Sequence, residues 1–193
     1  QLPMDRIKAG IGMLAGSKSA DLESGTDAAK AIMTTDTEKK EAAATFEIGG
    51  VTVTIGGMAK GSGMIHPNMC TMLSFITTDA AISGKALRKA LKEDVQDTYN
   101  MISVDGDTST NDTVLLLANG RAKNPKIKYG TPEYETFKEA LHYVNETLAK
   151  KMAGDGEGAT ALFEAKITGA QTKEQAKVLA KSIVCSNLTK TAI

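Results

Sequence analysis

The sequence predicts a mixed α/β (α+β) fold, because the spacing of its apolar residues changes from a helical to a strand period along the chain. An opening helix, with Pro3 in its first turn, is indicated by apolar residues three or four positions apart, at Met4, Ile7, Ile11 and Leu14. From Thr45 the period becomes two, in TFEI and then VTVTI. The pair Gly49-Gly50 between these runs is typical of a hairpin turn.

The elements that follow alternate between helix and strand. A second short helix is predicted over 25–33, and MLSFI at 72–76 has the composition of a buried strand. A long amphipathic helix is predicted over 79–102, with Leu87, Leu91 and Val95 on its apolar face. TVLLLAN, at 113–119, predicts a further strand.

The stretch DGDTSTND, at 105–112, is rich in side-chain oxygens. Such a stretch can bind calcium, but this one lacks the glutamate that closes a twelve-residue EF-hand loop. Side chains that cap backbone turns are the favoured interpretation.

A change of composition at 121–133 indicates a boundary, with residues 1–128 as the main domain and 129–193 as a smaller, incomplete subdomain. Thr131 and Pro132 predict the start of a helix that ends near Gly154, with Phe137, Leu141, Val144 and Leu148 inward. A strand is predicted at FEAKI, 163–167, and a last helix is predicted to open with the capping box from Thr172 to Gln175.

Composition excludes several classes of partner. The 23 basic and 23 acidic side chains cancel, and aromatic residues are only 4%, so nucleic-acid binding is not expected. The apolar runs are far shorter than the ~20 residues that span a bilayer, so no membrane partner is expected. Two cysteines and two histidines are too few for a disulfide framework or a usual zinc site. With no leader pattern visible, we expect a cytoplasmic protein and no bound metal.

The glycine-rich stretch GGMAKGSG, at 56–63, does not fit either common phosphate-binding pattern. A P-loop places its lysine after the last glycine, whereas Lys60 precedes Gly61. The dinucleotide fingerprint fails because His66 stands where the third glycine belongs. An irregular turn between strands, with His66 in a structural role, is the remaining interpretation.

Cys70 and Thr71 stand directly before the predicted strand at 72–76. Cys70 could act as a thiolate with His66 as its base, or Thr71 could simply begin a strand. A third possibility is self-cleavage: the Thr71 hydroxyl attacks the preceding carbonyl, and hydrolysis then frees an amino-terminal threonine. Its α-amino group, with a pKa near ~7.7–8.0, would act as the base for its own hydroxyl.

KGSGMIHPNMCTML, at 60–73, followed by ITTDA, closely resembles the self-cleavage segment of the bifunctional ornithine acetyltransferase / N-acetylglutamate synthase family of arginine biosynthesis. The family usually has Ala where this chain has Cys70, a small-for-small exchange. Further similarity lies in LPMDRIKAGI, AIMTTDT, SVDGDTSTNDT, GDGEGAT and SNLTKTAI, so the resemblance runs from end to end.

The resemblance implies a layered helix-sheet-sheet-helix sandwich, similar to amino-terminal-nucleophile enzymes, with a smaller α+β subdomain. It implies cleavage between Cys70 and Thr71, with Thr71 as the nucleophile and as a substrate-binding residue. Thr34, Lys60 and Glu157 match the family's other substrate-binding positions in this chain. A lysine can pair with a substrate carboxylate, and a glutamate can hold a substrate ammonium.

The implied reaction is ping-pong acetyl transfer from N-acetylornithine to glutamate through an acetyl-threonine, without a cofactor. Acetyl-CoA is a possible alternative donor. The implied partners are these two small molecules, the α and β chains cut from one precursor, and further copies in a homo-oligomer.

Two alternatives remain open: a related amidohydrolase or aminopeptidase, in which water resolves the acyl-enzyme, and a non-catalytic fragment of the family. The family is about twice this length, with its oxyanion-stabilising Thr-Gly pair before Gln1 and further contact residues after Ile193. We therefore expect the chain to be a piece of a longer protein.

Overall fold

Four strands form a single sheet in the computed structural model, which describes residues 2–66 and 72–193. Their order in the sheet is their order in the chain: β1 (Lys40–Ile48), β2 (Val51–Lys60), β3 (Leu73–Thr78) and β4 (Thr113–Ala118). β1, β2 and β3 are antiparallel neighbours, whereas β3 and β4 run parallel. The predicted strands in these four regions are confirmed.

Six α-helices and one 3₁₀ helix accompany this sheet in the described part of the chain. They are α1 (Met4–Gly16), α2 (Leu22–Ala31), α3 (Gly84–Asp94), the 3₁₀ helix Tyr99–Met101, α4 (Pro132–Gly154), α5 (Lys173–Val184) and α6 (Asn187–Thr191). None of these helices is long and apolar enough to cross a bilayer.

The β1–β2 hairpin turns at Gly49 and Gly50, as predicted. Their φ angles of 59° and 76° are both in the left-handed region, which glycine adopts without strain. Such a turn matches the natural twist of the two strands, so Ile48 pairs directly with Val51.

The core lies between the sheet and α4. The four apolar residues predicted to face inward on α4, Phe137, Leu141, Val144 and Leu148, are all fully buried. They pack in one cluster with inward residues of the strands, including Val53, Ile55 and Ile76. The mixed α+β fold is therefore confirmed. α4 begins after residue 128 but packs in the same core as the sheet. The predicted division into domains at 128–129 is not tested by this packing and stays a prediction.

α3 spans Gly84–Asp94, so it begins later and ends earlier than the helix predicted over 79–102. The Thr98 hydroxyl donates to the carbonyl of Asp94 at 2.8 Å and so caps the end of the helix. Tyr99 then turns inward, where its hydroxyl donates to Asn145 at 3.0 Å. A buried polar contact therefore overrides the helical period of the sequence.

The region after α4 differs most from its prediction. The predicted strand at 163–167 is wrong: the structure has neither helix nor strand there, and a strand needs a neighbour for its ladder of hydrogen bonds. The capping prediction is right, since the Thr172 hydroxyl accepts from the Gln175 backbone N–H at 3.2 Å.

Two apolar surfaces stay open. The predicted apolar face of α1 is exposed, with Ile11 at 61% and Leu14 at 69%. On the sheet face opposite α4, Leu115 and Leu117 of β4 are also exposed. This is the face on which a layered sandwich carries its second sheet.

Candidate functional site

Lys60, the last residue of β2, lies beside Thr34. Its Nζ donates a hydrogen bond to the Thr34 hydroxyl at 3.2 Å. In the sheet, Lys60 pairs with Leu73, the first residue of β3. The predicted cleavage residues Cys70 and Thr71 lie outside the described residues, but Leu73 is only two positions beyond Thr71. Lys60 is thus next to the first strand of the second predicted chain.

The loop that carries Thr34 is fixed to the turn after β2. One oxygen of Asp36 accepts from the backbone N–H of Gly61 at 2.7 Å, and the other accepts from that of Thr34 at 3.1 Å. The hydroxyls of Thr35 and Ser62 are 2.7 Å apart. Residues 34–36 and residues 61–62, which are far apart in the sequence, therefore form one hydrogen-bonded unit.

A buried ion cluster supports this unit. Lys40 Nζ donates to Asp36 at 2.7 Å and to Asp155 at 2.5 Å, and the Lys40 side chain is only 1% exposed. Asp155 also accepts from the backbone N–H of Thr37 at 3.0 Å. Burial favours the neutral acid, but hydrogen bonds from Lys40 and Thr37 outweigh it and lower the pKa of Asp155 to about 2. Burial likewise raises the pKa of Asp36, and the hydrogen bonds from Lys40, Gly61 and Thr34 bring it below the ordinary value.

The ion cluster Asp36–Lys40–Asp155 was not predicted from the sequence, although the sequence contains one signal of it. Lys40 has the same strand phase as the inward residues Phe46 and Ile48 of β1. A lysine on the inward side of a strand needs a buried partner, so this position predicts an ion pair. The identity of the distant partner, Asp155, could not be found in the same way.

Glu157 lies against the other side of the turn after β2. Its backbone N–H donates to the carbonyl of Ser62 at 2.7 Å. A Cβ atom added to Gly63 would be 2.7 Å from the Glu157 carboxylate, so a side chain at residue 63 would displace this carboxylate. Thr34 and Glu157 are exposed and Lys60 is half-buried, so a small molecule can reach all three side chains.

The stretch at 105–112 caps turns of a neighbouring segment, as predicted. The Asp105 carboxylate accepts from the backbone N–H groups of Met64 and Ile65, the latter at 3.0 Å. His66 Nδ1 lies 3.3 Å from the Ser103 hydroxyl, which agrees with a structural role, and that role stays a prediction. Residues 64–66 are thus bound to the loop 103–113.

The same loop also holds the residue after Thr71. Asp112 Oδ1 accepts from the Met72 backbone N–H at 2.9 Å, and the Thr113 N–H donates to the Met72 carbonyl at 3.1 Å. Burial raises the pKa of Asp112 to about 6, although the Met72 N–H and the charge of Lys60 act in the opposite direction. Loop 103–113 therefore binds residues 64–66, which precede residues 67–71 in the chain, and also Met72, which follows them.

No group of three or more histidine, cysteine, aspartate or glutamate side chains in residues 2–66 and 72–193 is arranged to hold a metal ion. The chemistry available in this part of the chain is that of an ammonium, a carboxylate and hydroxyl groups. These groups suit a substrate that has both a carboxylate and an amine.

Fold and site together define a mixed α+β protein with a small polar site at the ends of two adjacent antiparallel strands. The sequence model of the ArgJ family matches residues 1–193. The chain belongs to this family, which confirms the resemblance found in the sequence.

Individual relatives agree with this assignment. The chain is 58% identical over 192 residues to the arginine biosynthesis bifunctional protein ArgJ of Symbiobacterium thermophilum, covering 100% of this chain and 47% of that protein. For ArgJ of Bacillus subtilis the identity is 55%, with 100% of this chain and 46% of that protein covered. The chain therefore spans about half the length of the curated relatives it matches.

A solved structure gives the same result. The crystal structure of the arginine biosynthesis bifunctional protein ArgJ from Bacillus halodurans is 48% identical to this chain and aligns with a TM-score of 0.60. The alignment covers 62% of this chain and 56% of the other.

Proposed function

We propose that this chain is part of an acetyltransferase that moves the acetyl group of N-acetylornithine to glutamate. The observation that carries the proposal is the contact between Lys60 and Thr34 at the start of β3, with Glu157 across the same turn. Lys60 pairs with the α-carboxylate that both substrates share, and Glu157 holds an ammonium of the substrate.

Self-cleavage prepares the nucleophile. The Thr71 oxygen forms an ester bond to the carbonyl carbon of Cys70, the Cys70–Thr71 C–N bond breaks, and the hydroxyl proton passes to the nitrogen. Water then hydrolyses the ester, which leaves a carboxylate on Cys70 and returns the hydroxyl to Thr71. The freed amine acts as the base of the same residue.

Acetyl transfer then takes place in two steps. The Thr71 hydroxyl attacks the acetyl carbonyl, the bond to ornithine breaks, and the proton reaches the leaving amine. The amine of glutamate next attacks the acetyl-threonine, which releases N-acetylglutamate and restores the hydroxyl. Splitting one hard transfer in this way predicts ping-pong kinetics.

The same proposal includes a cytoplasmic enzyme of α and β chains that associates into a homo-oligomer and needs no cofactor. Acetyl-CoA is a candidate second donor. The alternative closest in chemistry is an amidohydrolase or aminopeptidase in which water takes the place of glutamate.

The test uses the full-length protein. Mass measurement under denaturing conditions is expected to show two chains, the second beginning at Thr71, and the Thr71→Ala variant is expected to stay in one piece. Labelled acetyl from N-acetylornithine is expected to appear on glutamate. A wild-type protein that stays uncut, or that releases only free acetate, would refute the proposal, and free acetate would favour the hydrolase.

Lys60 gives a separate test of substrate binding. Lys60→Ala is expected to raise KM for both donor and acceptor, because both carry the α-carboxylate, while leaving self-cleavage intact. If neither KM changes, Lys60 does not bind substrate.

A further inference from the structure

We propose that Lys190 selects glutamate as the acetyl acceptor, by binding the side-chain carboxylate of glutamate in a cavity that Lys190 shares with Glu157. The inference rests on the proposed function and deepens it, because it names the cation that the second half of the reaction requires. Lys190 is outside the candidate substrate-binding residues named so far.

The need for a cation follows from the charges of the two substrates. In ping-pong transfer, N-acetylornithine and glutamate bind in turn to one site. The side chain of N-acetylornithine ends in an ammonium, which the Glu157 carboxylate attracts. The side chain of glutamate ends in a carboxylate, which Glu157 repels. A site with Glu157 alone would therefore favour the donor over the acceptor, and a cation close by is needed to admit both.

A cavity of about 430 Å³ lies beside Glu157 and has a usual size for a small-molecule site. It is lined by residues of α4, α5 and α6 and of the segment 158–165, and both Glu157 and Lys190 are among its lining residues. Val104 links the two. The Lys190 Nζ donates to the Val104 carbonyl at 2.6 Å. A Cβ added to Gly156 would be 2.8 Å from the Val104 side chain, so Val104 packs against the residue that precedes Glu157.

The contacts of Lys190 leave one of its donors unused in the described part of the chain. An ammonium has three donors, and Lys190 uses two of them on the carbonyls of Ser103, at 3.1 Å, and Val104, at 2.6 Å. No ion pair within residues 2–66 and 72–193 includes Lys190 or Glu157. The two carbonyls hold the ammonium in place, so binding a carboxylate would cost Lys190 little further ordering.

Lys150, which also lines the cavity, differs from Lys190 in its partners. Its Nζ is 3.2 Å from a carboxylate oxygen of Glu146 and 3.2 Å from one of Glu164. Its charge is therefore already balanced by protein carboxylates. Among the described residues that line the cavity, Lys190 is the cation that remains available to a ligand carboxylate.

The experiment compares two acceptors that differ in charge but hardly in shape. In the full-length protein, kcat/KM is measured for glutamate and for glutamine, with N-acetylornithine as the donor. Wild type is expected to prefer glutamate at least about 10-fold, because the neutral amide of glutamine forms a weaker hydrogen bond with an ammonium. Lys190→Met is expected to lower kcat/KM for glutamate about 10- to 100-fold, with little change for glutamine or in the KM of N-acetylornithine.

The controls separate the charge of Lys190 from its packing. Lys150→Met removes a positive charge from the same cavity, but from a lysine with carboxylate partners, and is expected to keep the preference for glutamate. Lys190→Arg keeps the charge and is expected to retain the preference in part. Lys60→Ala is expected to weaken glutamate and glutamine equally, because both acceptors carry the α-carboxylate.

The ratio of the two acceptors decides the matter. A purely structural role of Lys190 would lower kcat/KM for glutamate and glutamine alike, so an unchanged ratio in Lys190→Met overturns this inference while the proposed function stands. If wild type transfers acetyl to neither acceptor, the proposed function fails and the inference fails with it.

A measurement on the wild type covers the case in which Lys190→Met does not fold. Lysines are labelled with an amine-reactive ester, and the mass of the peptide that contains Lys190 gives the labelled fraction. N-acetylglutamate, which retains the side-chain carboxylate, is expected to slow the labelling of Lys190 more than N-acetylglutamine does at the same concentration. Equal labelling with the two compounds overturns the proposed contact.

Discussion

The α4–sheet core and the polar site at the end of β2 are built in opposite ways. In the core, Phe137, Leu141 and Leu148 follow one another at helical spacing and are buried by apolar contact. In the site, the buried Asp36 and Lys40 are paired in charge with each other, and Lys40 also pairs with the partly buried Asp155, which is far away in the chain. A lost contact is therefore expected to cost differently in the two regions, because truncating a core residue leaves a cavity whereas removing an ion leaves an unpaired charge.

The largest effect on stability is expected at Lys40. Lys40→Met removes the cation that Asp36 and Asp155 share and leaves the buried carboxylate of Asp36 without its counter-charge, beside the partly buried carboxylate of Asp155. Breaking a buried pair from one side typically costs about 3–5 kcal/mol. The free energy of unfolding of the full-length protein, measured by denaturant titration, gives the size of the loss. Lys30→Met is the matched control, since Lys30 is exposed and its ion pair is with the exposed Asp27.

A somewhat smaller loss is expected in the core. Leu148→Ala removes a fully buried side chain that packs between α4 and the sheet, at a typical cost of about 3 kcal/mol. The same denaturant titration applies, with Leu162→Ala at a half-exposed position as control. A loss at Leu148 clearly greater than that at Lys40 would reverse the proposed ranking of the two regions.

Acid is expected to weaken the site before it affects the core. The pKa of Asp155 is about 2 in the folded chain against 3.8 for a free aspartate, so its charged form stabilises the fold above pH 3.8. That contribution is lost as pH falls from about 4 toward 2. Melting temperatures over this range are expected to fall less steeply for Asp155→Asn than for wild type. Equal slopes would show that Asp155 is not linked to acid unfolding.

The smallest effect on stability, but a clear effect on function, is expected at Gly63. A Cβ there would be 2.7 Å from the Glu157 carboxylate, the mobile end of a side chain that can move aside. Gly63→Ala is therefore expected to raise KM while changing stability by less than about 1 kcal/mol. Gly84→Ala, where nothing lies within 4 Å of the added atom, is the control. An unchanged KM in Gly63→Ala would indicate that Glu157 does not bind substrate.

The core could be predicted from the sequence because its cause is local. The helical spacing of Phe137 to Leu148 and the glycine pair of the hairpin each lie within one short segment. The predictions that failed depended on residues far away in the chain. α3 ends early because the Tyr99 hydroxyl donates a hydrogen bond to Asn145 on α4. Residues 163–167 form no strand, because a strand needs a neighbouring strand to pair with.

The site was predictable only in part. The Thr34, Lys60 and Glu157 positions came from resemblance to a family, and their roles remain predictions. The structure adds that Thr34 and Lys60 are in contact and that Glu157 lies against the same turn. The supports Asp36, Lys40, Asp155 and Asp112 bind partners that no periodicity reveals, apart from the inward phase of Lys40.

The pairing of β2 with β3 has a consequence for reversibility. Six residue pairs join these strands, from Ile55 with Thr78 to Lys60 with Leu73. The proposed cut after residue 70 would leave them side by side in the sheet but on separate polypeptides. Unfolding would then release two molecules, and their reassembly would be a bimolecular reaction. If the proposed cleavage takes place, recovery of the cleaved protein is expected to depend on its concentration, whereas recovery of the uncut Thr71→Ala variant is not.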